Sequence, residues 1–219
     1  MTNPIRLPDD TQHVAIAGRT GSGKTVAALE LLLMRDMRKM AWIIIDHKKD
    51  DNIAKLPAHD LNINSLFLPT HGLHRVQPRF NAEGREELEN FLLRAFNRGR
   101  IGIHVDEGHL VGKSDAIRSI LVAGRSKHVP LVWTSQRAAW IDTFIWSQAS
   151  FYRVFALQTK HDIKRFEENV PVRWKTPEEF HSFYYDVGLG KVYYLKPSAA
   201  IDETVKRLDV TLRTQYHAV

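Results

Sequence analysis

The segment that most constrains the fold is a glycine-rich octapeptide near the amino terminus. Residues 18–25 read Gly-Arg-Thr-Gly-Ser-Gly-Lys-Thr, which satisfies the pattern G-x-x-x-x-G-K-[ST] at every constrained position. An apolar run at 13–17 precedes the loop, and a segment at 26–35 without proline or glycine follows it. Such a loop needs a buried strand before it and a helix after it, because backbone N–H groups of the loop and the helix N-terminus bind phosphate. The pattern therefore predicts a nucleoside triphosphate site in an α/β domain.

Each residue of this phosphate-binding loop has an expected role toward ATP and Mg²⁺. We expect the Lys24 ammonium to neutralise charge on the β- and γ-phosphates, and the Thr25 hydroxyl to ligate Mg²⁺. The other loop residues expected to contact the nucleotide are Gly18, Arg19, Thr20, Gly21, Ser22 and Gly23. A glycine-rich turn without a ligand is the alternative, and the strand-like and helix-like flanks disfavour it.

Length and composition limit the remaining classes of protein. A chain of 219 residues suits one domain, and we expect a core at about 13–170 with a C-terminal hairpin and tail at about 171–219. The absence of cysteine excludes disulfides, thiolate metal sites and a cysteine nucleophile. No apolar stretch approaches the roughly 18 residues that span a bilayer, so we expect no intrinsic membrane span. The net charge of +6 fits a polyanionic partner, but also an ordinary basic protein.

Apolar runs of strand length alternate with helix-like patterns along the chain. The predicted strands lie at 13–17, 41–46, 101–105, 130–134 and 151–157, and the predicted helices at 26–35, 85–97, 115–123, 141–148 and 161–169. We interpret 47–81 as a loop-rich excursion. Aromatic runs at 183–186 and 191–195 flank Val-Gly-Leu-Gly, which predicts an antiparallel hairpin, and a last helix is expected at 200–213. The alternation predicts an α/β fold with a mostly parallel sheet flanked by helices.

Polar side chains follow two of these strands. Asp106 and Glu107 come directly after the run at 101–105, at the edge where open α/β sheets bind ligands. Beside a phosphate-binding loop, Asp106 would hold Mg²⁺ and Glu107 would take a proton from the attacking water, which suits hydrolysis. An acidic pair that only opens a surface loop is the alternative. Gln136 follows the next strand, where it could hydrogen-bond the γ-phosphate or the lytic water, or merely cap a turn.

With these residues assembled, the chain resembles the FtsK–HerA superfamily of P-loop motor ATPases. Within that superfamily it resembles the genome-packaging ATPases of membrane-containing viruses. The resemblance rests on four segments, at 17–25, 43–48, 103–107 and 132–137. The Asp-x-Lys formed by Asp46 and Lys48, and the Thr-Ser-Gln that ends at Gln136, discriminate this group from many other P-loop proteins.

The resemblance implies a RecA-like core of the ASCE type and a ring of subunits, expected to be a hexamer. It implies ATP hydrolysis coupled to the movement of DNA. We expect this DNA to be double-stranded, although the sequence leaves single-stranded DNA open. Capsid or portal-vertex proteins are candidate docking partners, and the expected location is the host cytoplasm or the virion. It also implies an arginine finger that reaches a neighbour's ATP. Arg125 stands just before the fourth strand, where the family commonly carries this arginine, and Arg137 is the next candidate.

Basic side chains offer further, less specific candidates for DNA contact. They are Lys48, Lys49, Arg94, Arg98, Arg100 and Lys113. Cations near a ring's lumen would bind phosphates, although each could equally be a solvated surface charge. The tyrosines at 184–185 and 193–194 could stack on bases, but packing within a hairpin accounts for them more simply.

The leading functional hypothesis is a DNA translocation motor, most simply one that feeds a viral genome into a capsid. A motor for conjugative transfer or phage extrusion would use the same parts. A small-molecule or nucleotide kinase is an alternative of another class, but it would need an arginine-rich lid, and 47–81 contains only Arg75 and Arg79. A scaffold that binds ATP without useful turnover also fits the sequence. A GTPase switch is less favoured than any of these, since the guanine motif Asn-Lys-x-Asp is absent.

Overall fold

A nine-stranded sheet runs through the molecule in the computed structural model, which describes residues 5–217. The strands in chain order are β1 (Val14–Ala17), β2 (Ala41–Asp46), β3 (His59–Asp60), β4 (Leu73–Val76), β5 (Ile101–Asp106), β6 (Leu131–Ser135), β7 (Phe151–Val154), β8 (Ser182–Asp186) and β9 (Lys191–Leu195). Their spatial order is β3-β4-β2-β5-β6-β1-β7-β8-β9. The pairs from β3 through to β7 are parallel, whereas β7 with β8 and β8 with β9 are antiparallel.

Helices cover both faces of this sheet. In chain order they are α1 (Lys24–Leu33), α2 (Asp51–Ala54), α3 (Ala82–Arg98), α4 (Asp115–Lys127), α5 (Thr143–Gln148), α6 (Lys160–Asn169) and α7 (Ile201–His217). One apolar cluster joins the sheet to α3, α4, α5 and α6, and a second joins it to α1, α2 and α7. The strands β1, β2, β5 and β6 are buried along their whole length, which explains their nearly continuous apolar sequences. The predicted α/β fold with a mostly parallel sheet is confirmed.

The interpretation of residues 47–81 as a loop-rich excursion is incomplete. This segment contains the short helix α2 and the strands β3 and β4, which extend the parallel sheet beyond β2. Only Leu73 and Val76 of β4 are buried, and both residues of β3 are exposed. Strands of two and four residues with so little apolar content carry no periodicity that sequence reasoning could detect.

Helix α3 begins earlier than its sequence pattern predicted. Gly84 directly precedes the predicted helix at 85–97, yet it lies inside the first turn of a helix that begins at Ala82. The Asn81 side chain caps this turn by accepting a hydrogen bond from the Gly84 N–H at 2.7 Å. A Cβ at position 84 would lie 2.2 Å from the Arg79 carbonyl oxygen. The glycine is therefore required for a close backbone approach.

The C-terminal part of the chain confirms the predicted hairpin and the final helix. Strand β8 continues the sheet from β7, with Arg153 opposite Tyr184, and β9 closes this edge. Helix α7 buries Leu208 and Leu212 in the same apolar cluster as α1. The predicted strand at 151–157 is shorter than expected and ends at Val154. Among residues 5–217, no helix is long and apolar enough to cross a bilayer.

Candidate nucleotide site

The phosphate-binding loop connects β1 to α1 at the carboxyl edge of the parallel strands. Its backbone is tied to neighbouring strands, because the Gly18 N–H donates to the Ser135 carbonyl at 3.3 Å and the Arg19 N–H donates to the Ala156 carbonyl at 2.8 Å. Gly23 has φ 102°, in the left-handed region that favours glycine, and forms the N-cap of α1. A Cβ on Gly18 would lie 2.6 Å from Phe155 Cβ. Packing and backbone conformation thus both demand glycine in this loop.

The first turn of α1 has the properties of an anion site. Gly23 supplies no side-chain cap, and the turn contains no acidic residue, so its N–H groups have no competing side-chain partner. Lys24 is buried at the start of this turn, and its ammonium donates to the Arg19 carbonyl at 3.1 Å. Burial lowers the pKa of Lys24, while the carboxylates of Glu107 and Asp106 act in the opposite direction. The loop therefore holds a buried cation close to the predicted acids.

One buried hydroxyl holds the Asp106 side chain and the Glu107 backbone in place. Thr134, the next-to-last residue of strand β6, is 0% exposed. Its hydroxyl donates to Asp106 Oδ1 at 2.9 Å and accepts from the Glu107 N–H at 3.1 Å. Burial raises the pKa of Asp106 to about 6, against the effect of the Thr134 hydrogen bond. Asp106 thus lies where desolvation makes an added cation favourable.

Glu107 has the geometry expected of a residue held for chemistry. Its φ of 50° lies in the left-handed region, which is uncommon for a residue with a side chain. Its Oε1 accepts a hydrogen bond from Gln136 Nε2 at 2.7 Å and forms an ion pair with Lys48 Nζ at 3.1 Å. Oε2 lies 3.4 Å from His109 Nδ1 and is buried without a hydrogen-bond partner among the described residues. One oxygen is thus oriented by the protein and the other remains unsatisfied.

These elements surround a cleft of about 610 Å³. Its phosphate end brings together residues from the loop, the end of β5 and the end of β6: Thr20, Gly21, Gly23, Lys24, Thr25, Asp106, Glu107 and Gln136. The rest of the lining is formed by Phe155, Phe180, Pro197, Ser198, Ala199, Ala200 and Ile201. The structure therefore brings the predicted loop, both acids and Gln136 into one cleft, and adds an apolar wall that the sequence did not reveal.

The oxygen donors at the phosphate end suit Mg²⁺. Thr25 contributes a hydroxyl and Asp106 a carboxylate to the same cleft. Hard oxygen ligands of this kind, few in number, are typical of Mg²⁺ sites that share the ion with phosphate oxygens and water. The donor set therefore fits the metal that the loop motif implies.

The two arginine-finger candidates occupy different surroundings. Arg125 is exposed near the end of α4 and lies outside the cleft, close to His13 at the amino ends of the strands. Arg137 lies at the carboxyl edge but is bound within the subunit, since its guanidinium donates to Asp162 Oδ2 at 2.8 Å and to Thr159 Oγ1 at 2.9 Å. The structure thus leaves Arg125 exposed at the opposite edge and engages Arg137 locally.

The candidate DNA-contacting cations do not form one group. Lys48 and Lys49 follow β2 at the carboxyl edge, and Lys48 is the ion-pair partner of Glu107. Arg98 is the last residue of α3 and Arg100 directly precedes β5, both at the amino edge. A further candidate, Lys113, lines a separate cleft of about 570 Å³ between α4 and α5. These candidates are therefore distributed over both edges of the sheet.

Sequence reasoning missed three contributions to the nucleotide cleft. Thr134 was recognised only as part of a motif, Lys48 only as part of a motif and as a candidate for DNA contact, and Phe180 not at all. The signal for Thr134 was its position one residue before the end of a buried strand, next to the strand that ends in the acids. Phe180 carries no sequence signal, because its contact with the loop depends on how 171–200 folds back over α1.

The chain is similar in sequence and in structure to packaging ATPases of viruses. No family model matches the chain. DNA packaging ATPase P9 of Enterobacteria phage PRD1 is 33% identical over 220 residues, which cover 94% of this chain and 96% of that protein. The genome packaging NTPase B204 of Sulfolobus turreted icosahedral virus 2, solved in complex with ATPγS, has a TM-score of 0.71 at 20% identity and covers 87% of this chain and 99% of its own.

More distant structures share the fold at lower identity. The pCW3 conjugation coupling protein TcpA has a TM-score of 0.58 at 14% identity, over 91% of this chain and 65% of its own. The architecture, the site and the similarity along the whole chain agree with each other. This chain belongs to the family of viral DNA-packaging ATPases that includes P9 of phage PRD1.

Proposed function

We propose that this protein is an ATP-driven motor that translocates double-stranded DNA into a viral capsid. The observation that carries the proposal is the similarity to the PRD1 packaging ATPase over 94% of the chain. The cleft supports it, because the loop, both acids and Gln136 converge at one end. The protein would act in the host cytoplasm and at the virion, where capsid or portal-vertex proteins would dock it.

The proposed reaction is attack of water on the γ-phosphorus of ATP. Glu107 accepts a proton from this water, the bond between the γ-phosphorus and the bridging oxygen breaks, and ADP and phosphate leave. Thr25 and Asp106 would hold Mg²⁺, which would neutralise charge on the β- and γ-phosphates. Lys24 and the N–H groups of the loop bind the same phosphates.

Gln136 and Lys48 act on the reaction through Glu107. Gln136 Nε2 donates to Glu107 Oε1 at 2.7 Å and Lys48 Nζ forms an ion pair with the same oxygen at 3.1 Å, so the carboxylate is held on one side. The other oxygen, Oε2, is available for the water. In this proposal Gln136 also senses the γ-phosphate, since a side chain that contacts both groups can report whether ATP or ADP is bound.

A ring of subunits, a hexamer in our proposal, would complete each site. Arg125 lies at the amino ends of the strands, outside its own cleft, and is exposed. An arginine in this position can reach ATP only in a neighbouring subunit, where its planar guanidinium would stabilise charge on the γ-phosphate in the transition state. Arg137 is a weaker candidate because Asp162 and Thr159 already occupy its donors.

The alternatives of other classes gain no support from the site. A kinase lid would need free arginines in 47–81, but Arg75 pairs with Asp60 at 2.8 Å and Arg79 pairs with Glu87 at 2.6 Å. The likeness to the conjugation protein TcpA, at 14% identity, concerns the fold alone. An ATP-binding scaffold would not require a general base in a strained conformation beside the loop.

The decisive experiment measures the ATPase rate per subunit as a function of protein concentration, with and without duplex DNA. We expect the rate to rise with concentration, because Arg125 acts between subunits, and to rise again with DNA. A mixture of Arg125→Ala and Glu107→Gln proteins should recover activity, since one intact site forms at some mixed interfaces. A rate that is independent of both concentration and DNA would contradict the motor. Arg85→Ala, which replaces an exposed arginine on α3, is the matched control.

A further inference from the structure

Phe180 stands in a backbone position that does not suit it. The His181 N–H donates to the Glu178 carbonyl at 3.0 Å, which closes a four-residue turn with Phe180 as its third residue. Phe180 has φ 58°. Turns with positive φ at the third position favour glycine or asparagine, and a bulky side chain there is strained. Strain of this kind persists where the surrounding structure uses the side chain.

The ring of Phe180 lies over the phosphate-binding loop. It is 45% exposed and lines the nucleotide cleft. A Cβ placed on Gly23 would lie 3.7 Å from Phe180 Cδ1 and 3.4 Å from Phe155 Cε1. Phe155 is 1% exposed and therefore forms the floor of this end, whereas Phe180 presents ring surface to the cleft. Two aromatic rings thus flank the glycine at which α1 begins.

The wall beside Phe180 is fixed and has little free hydrogen-bonding capacity. Ser198 Oγ donates to Glu30 Oε2 at 2.6 Å and accepts from Arg153 Nη2 at 2.9 Å. The Ala199 N–H donates to Glu30 Oε1 at 3.2 Å. The other side chains of this wall are apolar: Pro197, Ala200 and Ile201. The polar groups at this end of the cleft are therefore paired with α1 and β7 and not directed at a ligand.

From this geometry we propose that Phe180 is the platform on which the nucleobase stacks, and that the base is recognised by ring contact and not by hydrogen bonds. This inference rests on the proposed hydrolysis of nucleoside triphosphate in the same cleft. Every base has a π-face, so stacking tolerates different bases. Strong discrimination needs buried polar groups that are left unpaired by the wrong base. The cleft should accordingly accept ATP and GTP with similar efficiency.

Polar residues also line the cleft, and one of them offers an alternative to recognition of the base by stacking. Asp50 caps α2, with its side chain accepting from the Asn52 N–H at 2.8 Å, and Lys48 pairs with Glu107. Asn52 also lines the cleft, and its side-chain amide could read a base by hydrogen bonds. If Asn52 selected the base, Asn52→Ala would change the preference between ATP and GTP.

The test uses the full chain with Glu107→Gln, so that nucleotide binding is measured without turnover. In this background we compare Phe180→Gly, Phe180→Trp and the control Phe80→Gly, which removes a 68% exposed ring outside the cleft. Dissociation constants for ATP and GTP are measured by equilibrium dialysis, and melting temperatures by calorimetry. Because turnover is not involved, failure of the motor hypothesis would not affect the result.

We expect Phe180→Gly to weaken binding of ATP and of GTP by about tenfold, the loss of one stacking contact. Its melting temperature should not fall, because glycine relieves the turn. Phe180→Trp should bind as tightly as the parent, and Phe80→Gly should leave binding unchanged. In the parent, ATP and GTP should bind within about tenfold of each other. The proposal is overturned if folded Phe180→Gly protein binds ATP normally, if GTP binds more than about a hundredfold more weakly, or if Asn52→Ala alters the preference.

Discussion

The two ends of the nucleotide cleft are built on opposite principles. At the phosphate end, charged side chains are buried and partly unsatisfied, and Glu107 has a strained backbone with one buried oxygen unpaired. The base end is the part of the cleft formed by Phe155, Phe180 and residues 197–201. Its side chains are mainly apolar, and its polar groups are paired with Glu30 and Arg153. The phosphate end resembles a site prepared for developing charge, where orientation is decisive. The base end resembles a surface for contact, where shape is decisive.

The sharpest test of this difference is to remove the proposed general base, Glu107, at the phosphate end. Glu107→Gln preserves size and can still contact Gln136, but it cannot take a proton from water. We expect kcat to fall by a factor on the order of 10²–10⁴ while nucleotide affinity changes little. Steady-state hydrolysis and equilibrium binding together separate these effects. Glu86→Gln, on the exposed surface of α3, should be silent, and substantial turnover by the Glu107→Gln protein would remove Glu107 as the base.

The strand that delivers the acids contains a second buried group, which should make the fold sensitive to acid. His104 in β5 is 0% exposed, and neither ring nitrogen has a hydrogen-bond partner among the described residues. Burial lowers the pKa of His104 to about 4. Because this value is below that of the unfolded chain, only the unfolded state binds a proton between about pH 6.5 and pH 4.

Stability should therefore be complete above about pH 6.5 and fall as the pH drops toward 4, by up to about 3 kcal/mol from His104. Urea unfolding at several pH values measures this dependence. His104→Leu should flatten the profile across this window, because leucine fills much of the site and does not titrate. An unchanged slope in the variant would show that other groups, such as His13 and His47, dominate the acid response.

A smaller effect is expected at the hydroxyl that holds the two acids together. Thr134→Val keeps the shape but leaves Asp106 Oδ1 and the Glu107 N–H without their partner. We expect kcat to fall about 10- to 100-fold, since an unpaired buried group costs about 1–3 kcal/mol and the acids lose their alignment. Thr134→Ser should restore most of the rate. Equal losses in both variants would indicate a packing role instead of a positioning role.

The smallest effect should come from the wall at the base end. Ser198→Ala removes the hydroxyl that bridges Glu30 and Arg153 while leaving Phe180 in place. We expect KM for ATP to rise about threefold and kcat to stay within about twofold. The rise in KM follows because the loss of one hydrogen bond makes the wall less rigid. Ser147→Ala, on α5 outside this cleft, is the control. A large fall in kcat would show that the wall at the base end also affects catalysis at the phosphate end.

The phosphate end could be predicted from sequence almost completely. Its residues lie at the ends of buried strands, and parallel strands place their carboxyl ends together, so 18–25, Asp106, Glu107 and Gln136 had to meet. The base end could not be predicted. Phe180 and Ser198 belong to loops without periodicity, and their contact with α1 and β7 joins residues far apart in the chain. Likewise, β3 and β4 were missed because their sequences are short and polar.

The sequence by itself determined the phosphate-binding loop, the parallel sheet and the family, because glycine conformation, strand length and motif order act over short distances along the chain. The tertiary structure alone decided which groups support that chemistry. It showed that Thr134 joins the two acids, that Lys48 pairs with Glu107, and that Phe180 is held over the loop at a cost in backbone strain. These contacts depend on how distant segments pack, and packing is not encoded in any local pattern.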